Sequence, residues 1–270
     1  MINVRVLASS SAGNCTLIRA NRTALLIDCG LGPGRMRLLL EESGLRLGDL
    51  AGVLLTHTHG DHLHRDMAGA LRNAGVPLYC TPAVADVLGG QMDLFTSREI
   101  PPVKTFTRST VRIGGLEAEV FPVPHDAPGG CSGFLVRREG KRLHRTVAFA
   151  TDIGHVDPGL PGRLSEADLL IVESNHDIGL LLRSGRPEWL IRRIRTLGHL
   201  SNEESGTLIQ DAISARASRV RRVVLAHLSE QCNTAAIALR TVRALLPDPA
   251  SRGLHVETAP ARTPMATIEL

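Results

Sequence analysis

The stretch that decides the fold is His57-Thr58-His59-Gly60-Asp61-His62, which follows the apolar run Val53-Leu54-Leu55. At the end of a strand, its first two histidines are two positions apart and therefore project to the same side. Its glycine lets the chain turn, so the aspartate and the last histidine approach from another direction. Imidazole and carboxylate groups suit zinc, manganese or iron. Two ligand pairs with different directions predict a site for two divalent ions rather than one.

The same arrangement, an apolar run followed by a polar residue able to bind metal, recurs along the chain. It appears in residues 118–123 before His125, residues 147–150 before Asp152, and residues 223–225 before His227. A fifth run, residues 169–172, ends at Glu173. Because the end of a strand is held by a rigid sheet, we expect these side chains to converge. Segments with helical periodicity lie between the runs, so the alternation predicts a layered α/β protein.

The remaining elements are predicted from hydrophobic periodicity. Strands are expected at residues 3–7, 15–19 and 24–28, and helices at residues 35–42, 67–74, 187–195, 202–215 and 234–246. No internal repeat or low-complexity linker interrupts this pattern. We therefore expect one hydrolase domain over residues 1–258. Residues 259–270 carry Pro260 and Pro264 and are expected to form a loosely held tail.

Composition narrows the class of protein. The chain has 270 residues, of which 43% are hydrophobic and 21% charged, as in an ordinary globular protein. The N-terminus lacks the basic segment and long apolar core of a signal peptide, and no apolar run approaches membrane-spanning length. We therefore expect a cytoplasmic protein with no membrane contact. The five cysteines are scattered without a Cys-x-x-Cys pair, which argues against a disulfide framework or a thiolate zinc site.

The charge and the aromatic content bear on possible partners. The net charge of +4 is compatible with a polyanion but is smaller than that of a dedicated basic surface. Among the basic clusters, only Arg192, Arg193 and Arg195 are favoured as phosphate contacts, because they lie just before His199. With one Trp, one Tyr and five Phe, the chain has few residues for stacking on bases. Contact with a duplex backbone is therefore the favoured interpretation.

The order of the metal-binding residues resembles a known signature. His-x-His-x-Asp-His, followed by an isolated histidine, an aspartate after a strand and a C-terminal histidine, resembles the metal site of the metallo-β-lactamase superfamily. This resemblance implies a four-layer αββα sandwich and a dinuclear metal-dependent hydrolase. The implied ligands are His57, His59 and His125 for one ion, Asp61, His62 and His227 for the other, and Asp152 as the bridge. Asp28 resembles the superfamily's buried aspartate that braces the metal loop. The histidines that fit no position of the signature are His64, His144, His155 and His255.

Residues outside the signature indicate a branch of the superfamily. Three motifs resemble the YycJ/WalJ group of bacterial nucleases: Glu173-Ser174-Asn175-His176-Asp177, Gly198-His199-Leu200-Ser201-Asn202 and Ala226-His227-Leu228-Ser229. The opening loop, residues 7–14, also resembles that group, and the similarity runs to about Leu246. His199 followed by Ser201 further resembles the histidine motif of tRNA 3′-processing endonucleases, in which the histidine assists departure of the leaving oxygen. The lactamase and glyoxalase branches lack this pairing of Glu173 with His199.

The resemblance implies a DNA nuclease, a 5′ to 3′ exonuclease on duplex DNA. Two divalent ions, zinc or manganese with iron as an alternative, would activate a bridging hydroxide. The implied catalytic residues are Asp61, which is also a ligand, His199 as general acid, and Glu173, which orients His199. The residues expected to contact the substrate phosphates are Ser9, Ser11, Asn14, Ser201 and Asn202.

Two other functions are compatible with the sequence. The same metal site serves an RNA-processing enzyme or a hydrolase of small phosphodiesters. A metal-binding regulatory module without catalysis is a third interpretation. The complete ligand set together with His199 argues against that module, because a decayed site usually loses at least one such group.

Overall fold

The computed structural model describes residues 1–90, 101–106, 109–138, 145–247 and 253–270, which build two β-sheets. The first sheet contains β1 (Asn3–Ser10), β2 (Gly13–Ala20), β3 (Thr23–Ile27), β4 (Gly52–Leu54), β5 (Leu78–Cys80), β6 (Val103–Thr105) and β14 (Ile268–Glu269), in the order β14-β1-β2-β3-β4-β5-β6. The second contains β7 (Thr110–Ile113), β8 (Leu116–Val123), β9 (Cys131–Arg138), β10 (Thr146–Ala150), β11 (Leu169–Glu173), β12 (Arg222–Ala226) and β13 (His255–Thr258), in the order β13-β12-β11-β10-β9-β8-β7.

Each sheet has an antiparallel part and a parallel part. In the first sheet β1, β2 and β3 pair antiparallel, whereas β3 to β6 run parallel. In the second sheet β7 to β10 pair antiparallel, whereas β10 to β13 run parallel. Parallel strands end at the same edge of a sheet, and ligands of α/β proteins are commonly bound at that edge. The polar residues that follow β3, β4, β10, β11 and β12 are therefore brought together.

The helices form the two outer layers. They are α1 (Pro33–Glu42), α2 (Met67–Asn73), α3 (Pro82–Gly90), α4 (Leu160–Ser165), α5 (Ile178–Leu182), α6 (Glu188–Arg193), α7 (Asn202–Ser214) and α8 (Ala235–Leu245). Short helical turns occur at Leu47–Asp49 and, with π geometry, at Ile194–Gly198. Among the described residues, no helix is long and apolar enough to cross a membrane.

Three apolar clusters hold the layers together. Leu39 of α1 and Leu71 of α2 pack with the first sheet, and Ile209 of α7 packs with the second. A central cluster joins the sheets, for example Leu54 of β4 and Phe134 of β9. The predicted α/β fold with four αββα layers is therefore confirmed.

The expectation of a loosely held tail is wrong for its last residues. Ile268 pairs with Val4 in β14, and the Met265 amide donates a 2.9 Å hydrogen bond to the Val6 carbonyl. Both Met265 and Ile268 are buried in the cluster between the sheets. Their apolar side chains and the open edge of β1 hold this segment in place, which the two prolines do not prevent.

Candidate metal centre

Strained backbone marks three of the residues that follow strand ends. Asp28 after β3, Asp152 after β10 and His227 after β12 have φ values of 60°, 59° and 54°. Such left-handed conformations cost about 1–3 kcal/mol for a residue other than glycine, and they cluster at functional sites. Among the described residues only Asn21 shares this geometry outside glycine. The three turns direct side chains from both sheets into one pocket.

Three histidines form the first ligand group. Nε2 of His57 lies 3.0 Å from Nδ1 of His59, and Nε2 of His125 lies 3.4 Å from the same Nδ1. The ring nitrogens of all three lie within 4.8 Å of one another. Burial lowers the pKa of His57 well below its usual value, assisted by the neighbouring His62. A neutral imidazole is the form that binds a metal ion.

The second ligand group contains Asp61, His62 and His227. Oδ2 of Asp61 lies 3.4 Å from Nε2 of His62 and 3.3 Å from Nε2 of His227. Asp152 lies between the two groups, because its Oδ2 is 3.2 Å from Nε2 of His62 and it also clusters with His57. The structure thus brings together all seven residues expected as ligands.

Asp152 provides a test of whether these residues fit metal ions. Its Oδ2 atom is buried and accepts no hydrogen bond from the described residues. A buried carboxylate oxygen that accepts no hydrogen bond is costly, so a cation at this point would supply the missing interaction. Imidazole and carboxylate donors around one pocket also match the preferences of zinc and manganese. The residues therefore fit a pair of divalent ions.

The ionised carboxylates of Asp61 and Asp152 favour the binding of metal cations at the second ligand group. Burial raises the pKa of Asp61 and Asp152, but the adjacent His62 and His227 outweigh burial and hold both carboxyl pKa values well below their usual range. Burial lowers the pKa of His227, yet Asp152, Asp61 and Glu173 outweigh burial and raise that pKa to about 10. The carboxylates remain ionised at neutral pH. Ion binding would replace the protons that these imidazoles otherwise hold.

Asp28 supports the histidines from behind. Its fully buried carboxylate lies 2.7 Å from Nδ1 of His62 and accepts hydrogen bonds from the amide and the hydroxyl of Thr56. The Thr56 hydroxyl also lies 3.0 Å from Nδ1 of His57. These contacts fix the two rings with Nε2 toward the pocket. Sequence reasoning anticipated Asp28 but missed Thr56, whose only signal was its position directly before His57.

Glu173 connects the ligands with His199. Its Oε1 atom lies 2.8 Å from Nδ1 of His199 and 3.1 Å from Nδ1 of His227. The buried carboxylate also accepts hydrogen bonds from the Asp152, Ile153 and Leu200 amides. Burial raises the pKa of Glu173, but the charge and hydrogen bond of His199 outweigh burial and lower the pKa to about 2. Glu173 therefore acts as an anion that holds two imidazoles in place.

The rim segment, residues 188–199, borders the pocket on one side. It comprises α6, the π-helical turn and His199, whose side chain keeps 23% of its surface exposed. The Gly198 carbonyl lies 2.9 Å from Nδ1 of His125, and Arg193 forms a salt bridge with Asp126. These contacts attach the rim segment to the proposed ligand His125 and to the adjacent Asp126. A backbone carbonyl contact of this kind leaves no trace in the sequence.

The structure corrects two expected phosphate contacts in the opening loop. Ser9 is buried, and its hydroxyl accepts a 2.8 Å hydrogen bond from the His227 amide. Asn14 is also buried, and its amide nitrogen donates to the Ser10 carbonyl. Both side chains stabilise the loop beneath the ligands instead of facing a substrate. Only Ser11, at the exposed turn, keeps the position of a possible contact.

The expected contacts at Ser201 and Asn202 are corrected in the same way. Ser201 begins α7, where its hydroxyl accepts from the Glu204 amide while Glu204 accepts from the Ser201 amide. Asn202 is fully buried and hydrogen bonds with Ser174 and Asn233. Their polar groups are used within the protein. The sequence Ser-x-x-Glu is a recognised helix-capping pattern, so this role was open to prediction.

The residues not assigned to the centre remain outside it. His64, His155 and His255 belong to none of the ligand groups found among the described residues. His144 lies outside the described residues. All five cysteines are described, and they are buried and free.

Residues 23–228 match the family described as "Beta-lactamase superfamily domain". The chain belongs to the metallo-β-lactamase superfamily. Within this superfamily it is similar to "Exodeoxyribonuclease YycJ" of Bacillus anthracis, with 30% identity over 255 residues, 91% of this chain and 89% of that protein. It is also similar to "Exodeoxyribonuclease WalJ" of Streptococcus pneumoniae, with 30% identity over 247 residues, 88% of this chain and 85% of that protein.

Solved structures show the same superfamily fold. YhfI from Bacillus subtilis aligns with a TM-score of 0.71 at 18% identity, over 98% of this chain and 100% of that one. Zn(2+)-bound PqqB from Methylobacterium extorquens aligns with a TM-score of 0.69 at 18% identity, over the whole of both chains. The resemblance to the YycJ/WalJ-like group is confirmed, and the chain is a metal-dependent hydrolase of this superfamily. Its fold implies divalent metal ions, for which the donor groups are suited.

Proposed function

We propose that the protein is a two-metal DNA nuclease, a 5′ to 3′ exonuclease acting on duplex DNA. The observation that carries this proposal is the 2.8 Å contact between Glu173 and His199 beside the ligand groups. Hydrolysis of a phosphodiester expels a poor leaving oxygen, so a positioned acid is needed. The relatives named as exodeoxyribonucleases, similar over about nine tenths of the chain, support DNA as the substrate.

The metal-binding part of the proposal follows the two ligand groups. His57, His59 and His125 would hold one ion, Asp61, His62 and His227 the other, and Asp152 would contact both. When bound, zinc or manganese ions would supply Lewis-acid activation of water and of the phosphoryl group. Asp28 and Thr56 would keep the imidazole rings of His57 and His62 oriented. Asp61 would be both a metal ligand and a catalytic residue.

The acid in this proposal is His199. Its Nδ1 is held by the Glu173 carboxylate, so the ring has a fixed orientation. Its partly exposed side chain can donate a proton to the departing 3′ oxygen. The Glu173 carboxylate also accepts hydrogen bonds from three backbone amides, and these keep it from rotating away from the His199 ring. The expected contribution of such an acid is about 10²- to 10⁴-fold in rate.

Cleavage assays on three substrates test this proposal. Purified, metal-reconstituted protein is incubated with 5′-phosphorylated duplex DNA, precursor RNA and bis(p-nitrophenyl) phosphate. We expect release of nucleotides from duplex DNA, with a 5′-terminal label released before a 3′-terminal label. Preferential cleavage of RNA or of the small diester would instead support the alternative hydrolases. No cleavage of any substrate by fully metal-loaded protein would favour the regulatory module.

A further inference from the structure

The rim segment carries an unusual amount of exposed apolar surface. Trp189 is 66% exposed and Leu197 is 51% exposed. With Leu182 they account for three of the five large hydrophobic side chains that are exposed among the described residues. Exposure of a tryptophan side chain to water is unfavourable in free energy, and a cluster of exposed large apolar side chains marks an interaction site.

Trp189 and Leu197 form one wall of a groove of about 450 Å³, whereas Leu182 lies outside its lining. The groove is lined by Glu188, Trp189, Arg192, Arg193, Thr196 and Leu197. Arg193 is held by Asp126, but Arg192 forms no ion pair with the carboxylates that the structure describes. The same is true of Arg195, one turn further along, whose side chain is also exposed. The groove thus combines a flat apolar ring with Arg192, unpaired among the described residues, and the same rim segment carries Arg195 outside the groove lining.

The groove lies next to the proposed acid. Leu197 is followed directly by Gly198, whose carbonyl contacts His125, and then by His199. At 1.5 Å per helical residue, the distance along the rim segment from Trp189 to His199 is about 15 Å. Phosphates of one DNA strand are spaced about 3.4 Å apart along the helix axis. A strand with its scissile phosphate at His199 can therefore reach Trp189 within a few nucleotides.

We propose that this groove binds an unpaired DNA base, stacked on Trp189, while Arg192 and Arg195 contact the adjoining phosphates. Stacking on tryptophan suits every base, and arginine beside the ring supplies charge complementary to the backbone. Bases inside a duplex are already stacked, so the partner is a single-stranded end. The inference rests on the proposed nuclease function and adds that the favoured DNA carries an overhang. The low aromatic content of the chain had argued against stacking, yet its single tryptophan lies in the rim segment that also carries His199.

Tryptophan fluorescence offers a direct test, because Trp189 is the only tryptophan of the chain. Metal-loaded His199→Ala protein, which is expected to bind DNA without rapid cleavage, is titrated with a duplex bearing a short overhang and with a blunt duplex. Anisotropy of a dye on the DNA reports binding independently. We expect the overhang to quench the fluorescence and the blunt duplex to leave it nearly unchanged. Binding without quenching, or no binding of the overhang, would overturn the inference.

Kinetics of Trp189→Ala separate this inference from the proposed function. For overhang DNA we expect KM to rise about 5- to 100-fold with kcat little changed. Trp189→Phe should restore part of the loss, since phenylalanine also stacks. Leu38→Ala is the matched control, because it removes another exposed apolar side chain, from α1. Hydrolysis of bis(p-nitrophenyl) phosphate, which is too short to reach from His199 to Trp189, should be unchanged in all three variants.

The remaining outcomes have distinct meanings. Normal DNA kinetics in Trp189→Ala would overturn the groove assignment and leave the nuclease proposal standing. An equal loss on DNA and on the small diester would show that Trp189 only supports the position of His199, which also overturns it. DNA binding with quenching but no cleavage would support the groove while the proposed nuclease activity failed. Self-association of the protein that Trp189→Ala abolishes would assign the groove to a second copy of the chain.

Discussion

The metal pocket and the rim segment are neighbours built in opposite ways. The proposed ligands Asp152 and His227 follow strands that are buried in a sheet, and both are 1% exposed. The rim segment is a short helix and a π-helical turn on which Trp189 is 66% exposed. The first region is fixed by two sheets, whereas the second is attached by a few contacts such as Gly198 with His125.

The two regions are therefore suited to different tasks. Rigid strand ends are suited to holding ions, because ligand geometry must be kept within narrow limits. An exposed segment is suited to contacting a polymeric substrate and to delivering a proton. Glu173 joins the two regions through His227 and His199. Substitutions in the pocket should therefore remove metal, and substitutions in the rim segment should remove activity with metal retained.

The largest effect is expected for Asp152→Asn in the pocket. The amide would place a neutral group, and in one orientation a donor, between the two ligand groups. We expect loss of bound metal and a fall in kcat of about 10³-fold or more. Elemental analysis measures the bound metal, and DNA cleavage assays measure kcat. The exposed Asp157→Asn is a matched control. A variant with full metal content would contradict the proposed role of Asp152 as a metal ligand shared by the two groups.

His199→Ala in the rim segment should reduce activity without loss of metal. We expect kcat to fall by about 10²- to 10⁴-fold, because the leaving oxygen loses its acid. The control is His155→Ala, which removes a more exposed histidine outside the ligand groups. If elemental analysis finds as much metal loss in His199→Ala as in Asp152→Asn, the two regions do not have separate roles.

Asp28→Asn tests the support behind the pocket. Asparagine tolerates the left-handed backbone at this position, so the change acts on the contacts with His62 and Thr56. We expect metal affinity to fall by about 10- to 100-fold while the fold is kept. Competition with a fluorescent chelator measures the affinity, and circular dichroism checks the fold. Unchanged affinity would show that His62 needs no carboxylate to stay oriented.

Gly154→Ala tests the attachment of the rim segment and should have the smallest effect. A Cβ atom at Gly154 would lie 2.4 Å from the Leu197 carbonyl oxygen, so the rim backbone must move. We expect a loss of about 10-fold in kcat with metal content retained, because His199 is displaced. Gly162→Ala in α4 is the control, since a Cβ there meets no atom within 4 Å. Equal activity in both variants would show that the position of the rim is not critical.

The metal-binding residues of the pocket could be predicted from the sequence, because the strands before them are apolar runs that are visible in the local sequence. His57, His125, Asp152 and His227 could be found in this way, and the structure brings them together. Thr56 and the Gly198 carbonyl could not, since their contacts depend on how distant segments pack. Strand β9 was also missed, because Ser132 and Gly133 interrupt its apolar run.

The substrate side was harder to predict for a related reason. Ser201 and Asn202 have the chemistry of phosphate contacts, and only their burial shows that they are used within the protein. Trp189 has no motif around it, and only its exposure on the rim segment distinguishes it from a core residue. Composition and spacing do not report exposure, so the pocket was predicted more completely than the surface around it.

The most direct test of the central claim is a parallel measurement of metal content and DNA cleavage during chelation and reconstitution. We expect two divalent ions per chain in the active protein, loss of cleavage when they are removed, and recovery when zinc or manganese is returned. Cleavage of DNA that persists after complete removal of metal would contradict the account.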